Sequence, residues 1–386
     1  MVESLEKTPS ATQRMDLRSY IRQPPVMLAL LAVLGVILFL AVAGLSRAYH
    51  AQRSALGNRW FSRGVVDLNA GRFDRAVTEF RAALLYSRDN YDYQLNLAEA
   101  LIGEKRTAEA YSYLVNLWDR QPENGGVNLE LARIAAQRGQ TEQAQRYYHN
   151  AIYAVWPGDQ ELKRRDTRFE LIEYLLNIHA KAQAQAELIA LEENLGEDPA
   201  LQERVGDLFL RVEDYEHALS AFRLCLKWDR HNEAALAGAG WAAFQLARYP
   251  LAERYLQAAV AANPGDTHSA ERLMTTELLL HMDPFRRQIS EEERARIVVD
   301  AFAVAGRRLS SCATPKAAEG AQTSLADSWA KLKPRISEQE LRRDPDLVEQ
   351  AMDLVFEIER QTSATCGTPT GTDLALLLIA KLHEGN

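Results

Sequence analysis

Small and apolar residues recur along the middle of this chain in a fixed phase. Steps of seven, five, four and three residues from Gly64 land on Gly71, Ala76, Phe80 and Ala83. The same steps from Ala132 land on Gly139, Ala144, Tyr148 and Ala151, and from Gly240 on Ala247, Ala252, Leu256 and Ala259. Three looser copies start at Ala98, Ile172 and Gly206. The anchoring alanine falls at 76, 110, 144, 184, 218 and 252, so four of the five gaps are 34 residues and one is 40. The apolar spacing within each copy is helical, and breakers separate the copies, which predicts paired helices rather than one long bundle.

A second pattern precedes the repeats. From Val26 to Leu45 the chain carries no charged residue, and every helical face is apolar. At 1.5 Å rise per residue this run matches a hydrocarbon core of ~30 Å. The predicted order is a polar tail over 1–25, a transmembrane signal-anchor helix over 26–46 and a juxtamembrane stalk over 47–56. Six repeats then cover 57–266, a capping helix and linker 267–284, and a helical domain 285–386. A cleavable secretory signal ending near Ala41-Val42-Ala43 is the competing reading of the apolar run. Four basic residues on each side make the positive-inside comparison a tie. A first hydrophobic segment behind a short tail commonly acts as a signal-anchor, which places the repeats outside the cytoplasm.

The repeating residues resemble the tetratricopeptide repeat, a 34-residue helix–turn–helix unit. Gly64, Gly206 and Gly240 stand at its small position, Phe80, Tyr148 and Phe222 at its aromatic one, and Pro122, Pro157, Pro199 and Pro264 where units end. The resemblance implies an all-α solenoid superhelix whose first helices line a concave groove. That groove would present Phe61, Val65, Leu68 and Asn69 from the first repeat, Leu95, Glu99 and Ile102 from the second, and Leu129 and Arg133 from the third. Phe169, Glu173 and Asn177 would follow from the fourth, Glu203, Asp207 and Arg211 from the fifth, and Trp241, Phe244 and Gln245 from the sixth. The mixture suits a protein or peptide segment with apolar and some basic side chains. The family's clamp for a chaperone's C-terminal carboxylate needs Lys and Asn where this chain has Phe61 and Val65, so docking of that kind is rejected.

After Pro284 the phase is lost, and four short helices are predicted to pack as an up-down bundle. The first opens on Ser290 with Glu293 three residues on, a capping box, and ends near Leu309. The second covers 315–332, the third 345–361, and the last opens at Thr370 or Thr372. In such a bundle the first and third helices run parallel, so Cys312 and Cys366 emerge at one end. A disulfide between them closes a loop of about 54 residues, worth up to ~4 kcal/mol in the chain-entropy estimate, and implies an oxidising compartment. Cys225 is expected to be an inert buried thiol.

Composition narrows the chemistry. A net charge of −8 over 386 residues disfavours nucleic acid, and short basic runs such as Lys163-Arg164-Arg165 read as solvated helix faces. No CxxC, HExxH, phosphate-binding glycine loop or nucleophile elbow occurs. Neither a catalytic set, a metal, a cofactor nor a small-molecule substrate is expected. The expectation is a non-enzymatic, single-pass scaffold of the inner membrane that binds a protein or peptide at the extracytoplasmic face and assists secretion, folding or assembly of envelope proteins. The alternatives are a cytoplasm-facing adaptor and an enzyme with its site in 285–386.

Overall fold

The structure, a computed structural model, describes residues 24–156, 158–193, 195–312 and 319–384. It is all-helical apart from one isolated bridge between Asn124 and Val155. The chain forms two compact units, residues 1–167 and 168–386, and the division falls inside a single helix.

The first unit opens on α1 (Pro24–Asn69), 46 residues without a break. Pro24 and Pro25 start it, as suits residues with fixed φ and no N–H at a helix N-terminus. The apolar run, the stalk and the first helix of repeat one are therefore one element rather than three. Nothing in Ser46–Asn58 breaks helix geometry, since that stretch contains one glycine and no proline. The apolar part of α1 is unburied. Most of the expected tail lies outside the described residues.

The rest of the unit is a succession of helix pairs: α1 with α2 (Phe73–Tyr86), α3 (Tyr91–Gly103) with α4 (Thr107–Arg120), and α5 (Gly125–Gln137) with α6 (Thr141–Tyr153). Within pairs the small position does steric work. A Cβ on Gly64 would stand 2.6 Å from the Phe80 ring. Phe80, Leu97, Leu101, Leu114, Leu117 and Leu131 are fully buried and join successive pairs in one apolar core. Each pair alone would leave that face wet, so stacking supplies the core.

The helix α7 (Gln160–Asn177) spans the division and is 18 residues long. It absorbs five of the six extra residues of the fourth repeat, being 18 residues long where the other repeats' first helices from α3 onward have 13, and the charged run at 161–166 lies in it. The second unit continues with α8 (Lys181–Glu192), α9 (Pro199–Arg211), α10 (Tyr215–Trp228), α11 (Glu233–Gln245), α12 (Tyr249–Ala262) and α13 (Thr267–Met282). Here Gly206 and Gly240 repeat the Gly64 device: a Cβ on either would meet Phe222 or Leu256 at 2.7 Å.

Two further regularities hold the array in phase. Asn90, Asn124, Asp198, Asn232 and Asp266 each cap a first helix, their side chains accepting from backbone N–H groups two or three residues on. The turn inside each pair places one residue in the left-handed region: Gly71, Lys105, Gly139, His179, Glu213 and Ala247, with φ between 56° and 70°. Only two of the six are glycines, so four turns carry a side chain where the backbone disfavours one.

Beyond Pro284 come α14 (Glu291–Ser311), α15 (Glu319–Leu332), a 3-10 turn (Lys333–Arg335), α16 (Glu338–Arg343), α17 (Pro345–Cys366) and α18 (Gly371–His383). The four-helix expectation missed α16, which at six residues is too short to show a period. The start expected at 315 for α15 lies outside the described residues, and α17 runs five residues further than the pattern implied. Cys312 and Cys366 are joined by a disulfide, with Cα atoms 5.8 Å apart. Cys225 is buried, and burial raises its thiol to about 11.

These C-terminal helices share their core with the end of the array. Tyr249, Leu279 and Met282 belong to the same buried cluster as Val298, Phe302, Met352, Val355 and Ile379. Asp283, after α13, is 3.1 Å from His383 Nε2 at the end of α18. The last repeat, capping helix and C-terminal helices thus cohere as one body within the second unit.

Candidate functional site

In the first unit the C-terminal half of α1 lies beside α3, and α3 beside α5. This row brings together the residues expected of the first two repeats. Phe61 stacks on Tyr93 at 4.9 Å and lies 5.7 Å from Phe80. Phe61, Val65, Leu68, Leu95 and Ile102 are half-buried, seated on the core with part of each side chain free. Asn69 is exposed at the end of α1.

The polar centre of this row is Glu99. It stands on α3 one repeat ahead of Arg133 on α5, and Leu129 lies one turn earlier on α5. Arg133 pairs with Glu130, a carboxylate that is almost wholly buried. Burial, reinforced by the Glu130 charge, pushes Glu99 up to about 7, while Arg133 and Lys163 pull it down. Glu99 is therefore a half-buried carboxyl that changes charge near neutrality, in an apolar surround. Glu130 and Lys163 were not among the residues expected here. Glu130 sits three residues before Arg133, the spacing of an intrahelical pair, but nothing in the sequence marks it as buried.

In the second unit the expected residues divide. Phe169 is fully buried under the Arg204 guanidinium, which lies 3.9 Å from its ring centroid, so it is a core residue and not a groove residue. Glu173 and Arg211 form an ion pair at 2.9 Å between α7 and α9. Glu203 accepts from Asn232 at 2.8 Å and steadies the cap of α11. Asn177, Asp207 and Gln245 are exposed. Trp241 lies between Phe244, ring centroids 5.6 Å apart, and the Arg272 guanidinium at 4.1 Å. Phe244 meets Tyr249 edge-on and packs against the C-terminal core, so its contribution is to packing. Sequence spacing put Phe169 and Phe244 on the right helices, but helical phase alone does not reveal which neighbour covers them.

Among the described residues no cluster of three or more His, Cys, Asp or Glu has the geometry to hold a metal ion. Three family models match the chain, all of the tetratricopeptide repeat, over residues 61–125, 101–155 and 201–232. The class that the fold and these matches define is thus the helical-repeat protein. More particularly, residues 61–155 and 201–232 carry tetratricopeptide repeats.

The chain is also similar to several solved structures. One is YrrB, described as a repeat protein with an unusual peptide-binding site: 15% identity over 50% of this chain and 95% of that one, with a TM-score of 0.40. Another is pilF of Pseudomonas aeruginosa: 18% identity, 57% and 97% covered, TM-score 0.41. A third is the C-terminal part of a repeat protein from Cytophaga hutchinsonii: 14% identity, 62% and 94% covered, TM-score 0.45. No curated protein matches the chain.

Proposed function

We propose that the chain is a single-pass membrane scaffold, anchored by the apolar part of α1, that binds an extended protein segment along its first-helix faces on the extracytoplasmic side. The observation that carries the binding reading is the α1–α3–α5 row, where the half-free apolar groups Phe61, Val65, Leu95 and Ile102 flank Glu99. An apolar strip with one partly desolvated carboxyl favours a segment presenting alternate apolar side chains and a Lys or Arg. A cation arriving at Glu99 favours its ionised form and gives the partly desolvated carboxylate a charge-assisted partner. The cysteine pair at 312 and 366 favours an oxidising compartment, and so the extracytoplasmic orientation over the cytoplasmic adaptor. The part played in secretion, folding or assembly of envelope proteins belongs to this same reading.

The test is peptide binding by the full chain in detergent micelles. The probes are extended peptides with alternate Leu or Val and one central Lys, and the same peptides with Glu in its place. The Lys series is expected to bind, and to bind several-fold more tightly at pH 8 than at pH 6, because Glu99 ionises through that range. Glu99→Gln should flatten the pH response. Equal capture of Lys and Glu peptides, or an unchanged pH response in the variant, would refute the site. Topology is read separately by membrane-impermeant thiol labelling at Cys312 and Cys366 after reduction.

A further inference from the structure

A cavity of about 850 Å³ opens in the first unit, lined from α1, α2, α3 and α4 and from the turn after α2. Its lining includes three arginines, Arg53, Arg81 and Arg88, and no carboxylate. Gln94, Ser112, Tyr113 and Asn116 add amide and hydroxyl groups, and Leu84 and Leu85 form an apolar lip. Leu85 is 79% exposed, which for a leucine beside a cavity marks a surface without cover.

The place of this cavity along α1 gives it meaning. Arg53 is two turns past Leu45, roughly 12 Å along the axis at 1.5 Å per residue. Because α1 is unbroken, that spacing is rigid. The headgroup layer extends about 5–8 Å beyond the hydrocarbon, and an arginine side chain two turns up reaches back to it. Arg53 donates to the carbonyl of Leu85 at 3.1 Å, which ties the C-terminal end of α2, and Arg88 just after it, to the membrane-proximal turn of α1. Tyr49, one turn below Arg53, is 57% exposed, as suits an aromatic residue at the membrane–water boundary.

The three arginines are not equally committed. Arg81 is held by Glu109 at 2.5 Å, and Arg53 by the Leu85 carbonyl. Arg88 has no side-chain partner among the described residues. Its backbone carbonyl instead accepts from Gln94 at 2.9 Å, which fixes the loop at the cavity mouth. A cationic, partly apolar cavity within an arginine side chain's reach of the headgroup layer fits a phosphodiester with an acyl chain attached.

We infer that this cavity is a binding site for the headgroup of an anionic phospholipid. The inference rests on the membrane-anchor reading above, but not on the peptide site. A bound lipid would bridge α1 to α2 and α4, and so fix the angle at which the repeats rise from the bilayer.

The experiment uses the full chain, extracted from membranes in mild detergent and examined by native mass spectrometry after exchange into equal phosphatidylglycerol and phosphatidylcholine. The wild type is expected to retain phosphatidylglycerol at least five-fold more often than phosphatidylcholine. Arg81→Ala with Arg88→Ala is expected to remove that preference, and Arg223→Ala with Arg230→Ala, exposed arginines elsewhere, to leave it intact. A thermal melt of each variant controls for folding. Equal retention of the two lipids, or an unchanged preference in the Arg81/Arg88 variant, overturns the inference. So does displacement of the lipid by millimolar glycerol phosphate or by an acidic peptide, either of which would make the site one for a soluble anion. Carbonate extraction separates the two readings. A chain released by carbonate removes the anchor and this site together, whereas a chain that stays in the pellet without lipid preference removes this site alone.

Discussion

Glu359 lies on α17 with no solvent exposure, and neither carboxylate oxygen has a hydrogen-bond partner. Burial first, and then the charge of Asp373 on α18, push its carboxyl up to about 8, with Arg308 on α14 opposing. An unfolded chain holds the group near 4.5. The folded state therefore keeps a proton that the unfolded state loses between those values, and stability falls as pH rises through that window. At 1.36 kcal/mol per pH unit, the cost accumulated by pH 7 is ~3 kcal/mol as a ceiling, which relaxation and water entry reduce to about 1–3 kcal/mol. Glu359→Gln removes the titration while keeping shape and volume. The variant is expected to lie close to the wild type at pH 5 and to melt roughly 2–12 °C higher at pH 7.5, given ~2–4 °C per kcal/mol for a body of this size. Thermal melts of the full chain at half-unit pH steps, under non-reducing conditions, measure this. Parallel pH profiles for the two proteins, or a Gln variant that melts lower at pH 7.5, would refute the reasoning.

Two other tests address the frame. At the left-handed turn residue, Lys105→Gly is expected to stabilise by ~0.5–1 kcal/mol and Gly139→Ala to destabilise by about 1 kcal/mol, opposite signs at equivalent repeat positions; urea unfolding followed by circular dichroism checks both. Replacing Cys312 and Cys366 together by Ser is expected to cost up to ~4 kcal/mol and to make the melting temperature insensitive to reductant, which the wild type's is not.

Much of the frame was legible in the residues. The phase set by Gly64, Ala76 and Phe80 placed the helix pairs, because a closed interhelix contact admits only small residues opposite a ring. The six-residue excess near Asp166 announced the longer α7. The caps at Asn90, Asn124, Asp198, Asn232 and Asp266 are equally regular, an Asn or Asp ahead of each of five first helices. The site was less legible. Phe61 and Glu99 stand in the expected row, but Phe169 and Phe244 are occupied by neighbours. The cavity at Arg53, Arg81 and Arg88 joins residues from two helices and a turn that no local spacing relates.

Taken alone, the sequence determined what is periodic: helix existence, pairing and turn position, since each depends on residues a few places apart whose sizes and backbone preferences act locally. It also marked the apolar run of α1, because transfer into hydrocarbon is a property of composition. Only the tertiary structure decided which of the groove residues remain uncovered, how the capping helix and C-terminal helices share one core, and why Glu99 and Glu359 hold their protons so far above the usual carboxylate range. Desolvation depends on everything packed around a group, and that surround is assembled from segments far apart in the chain.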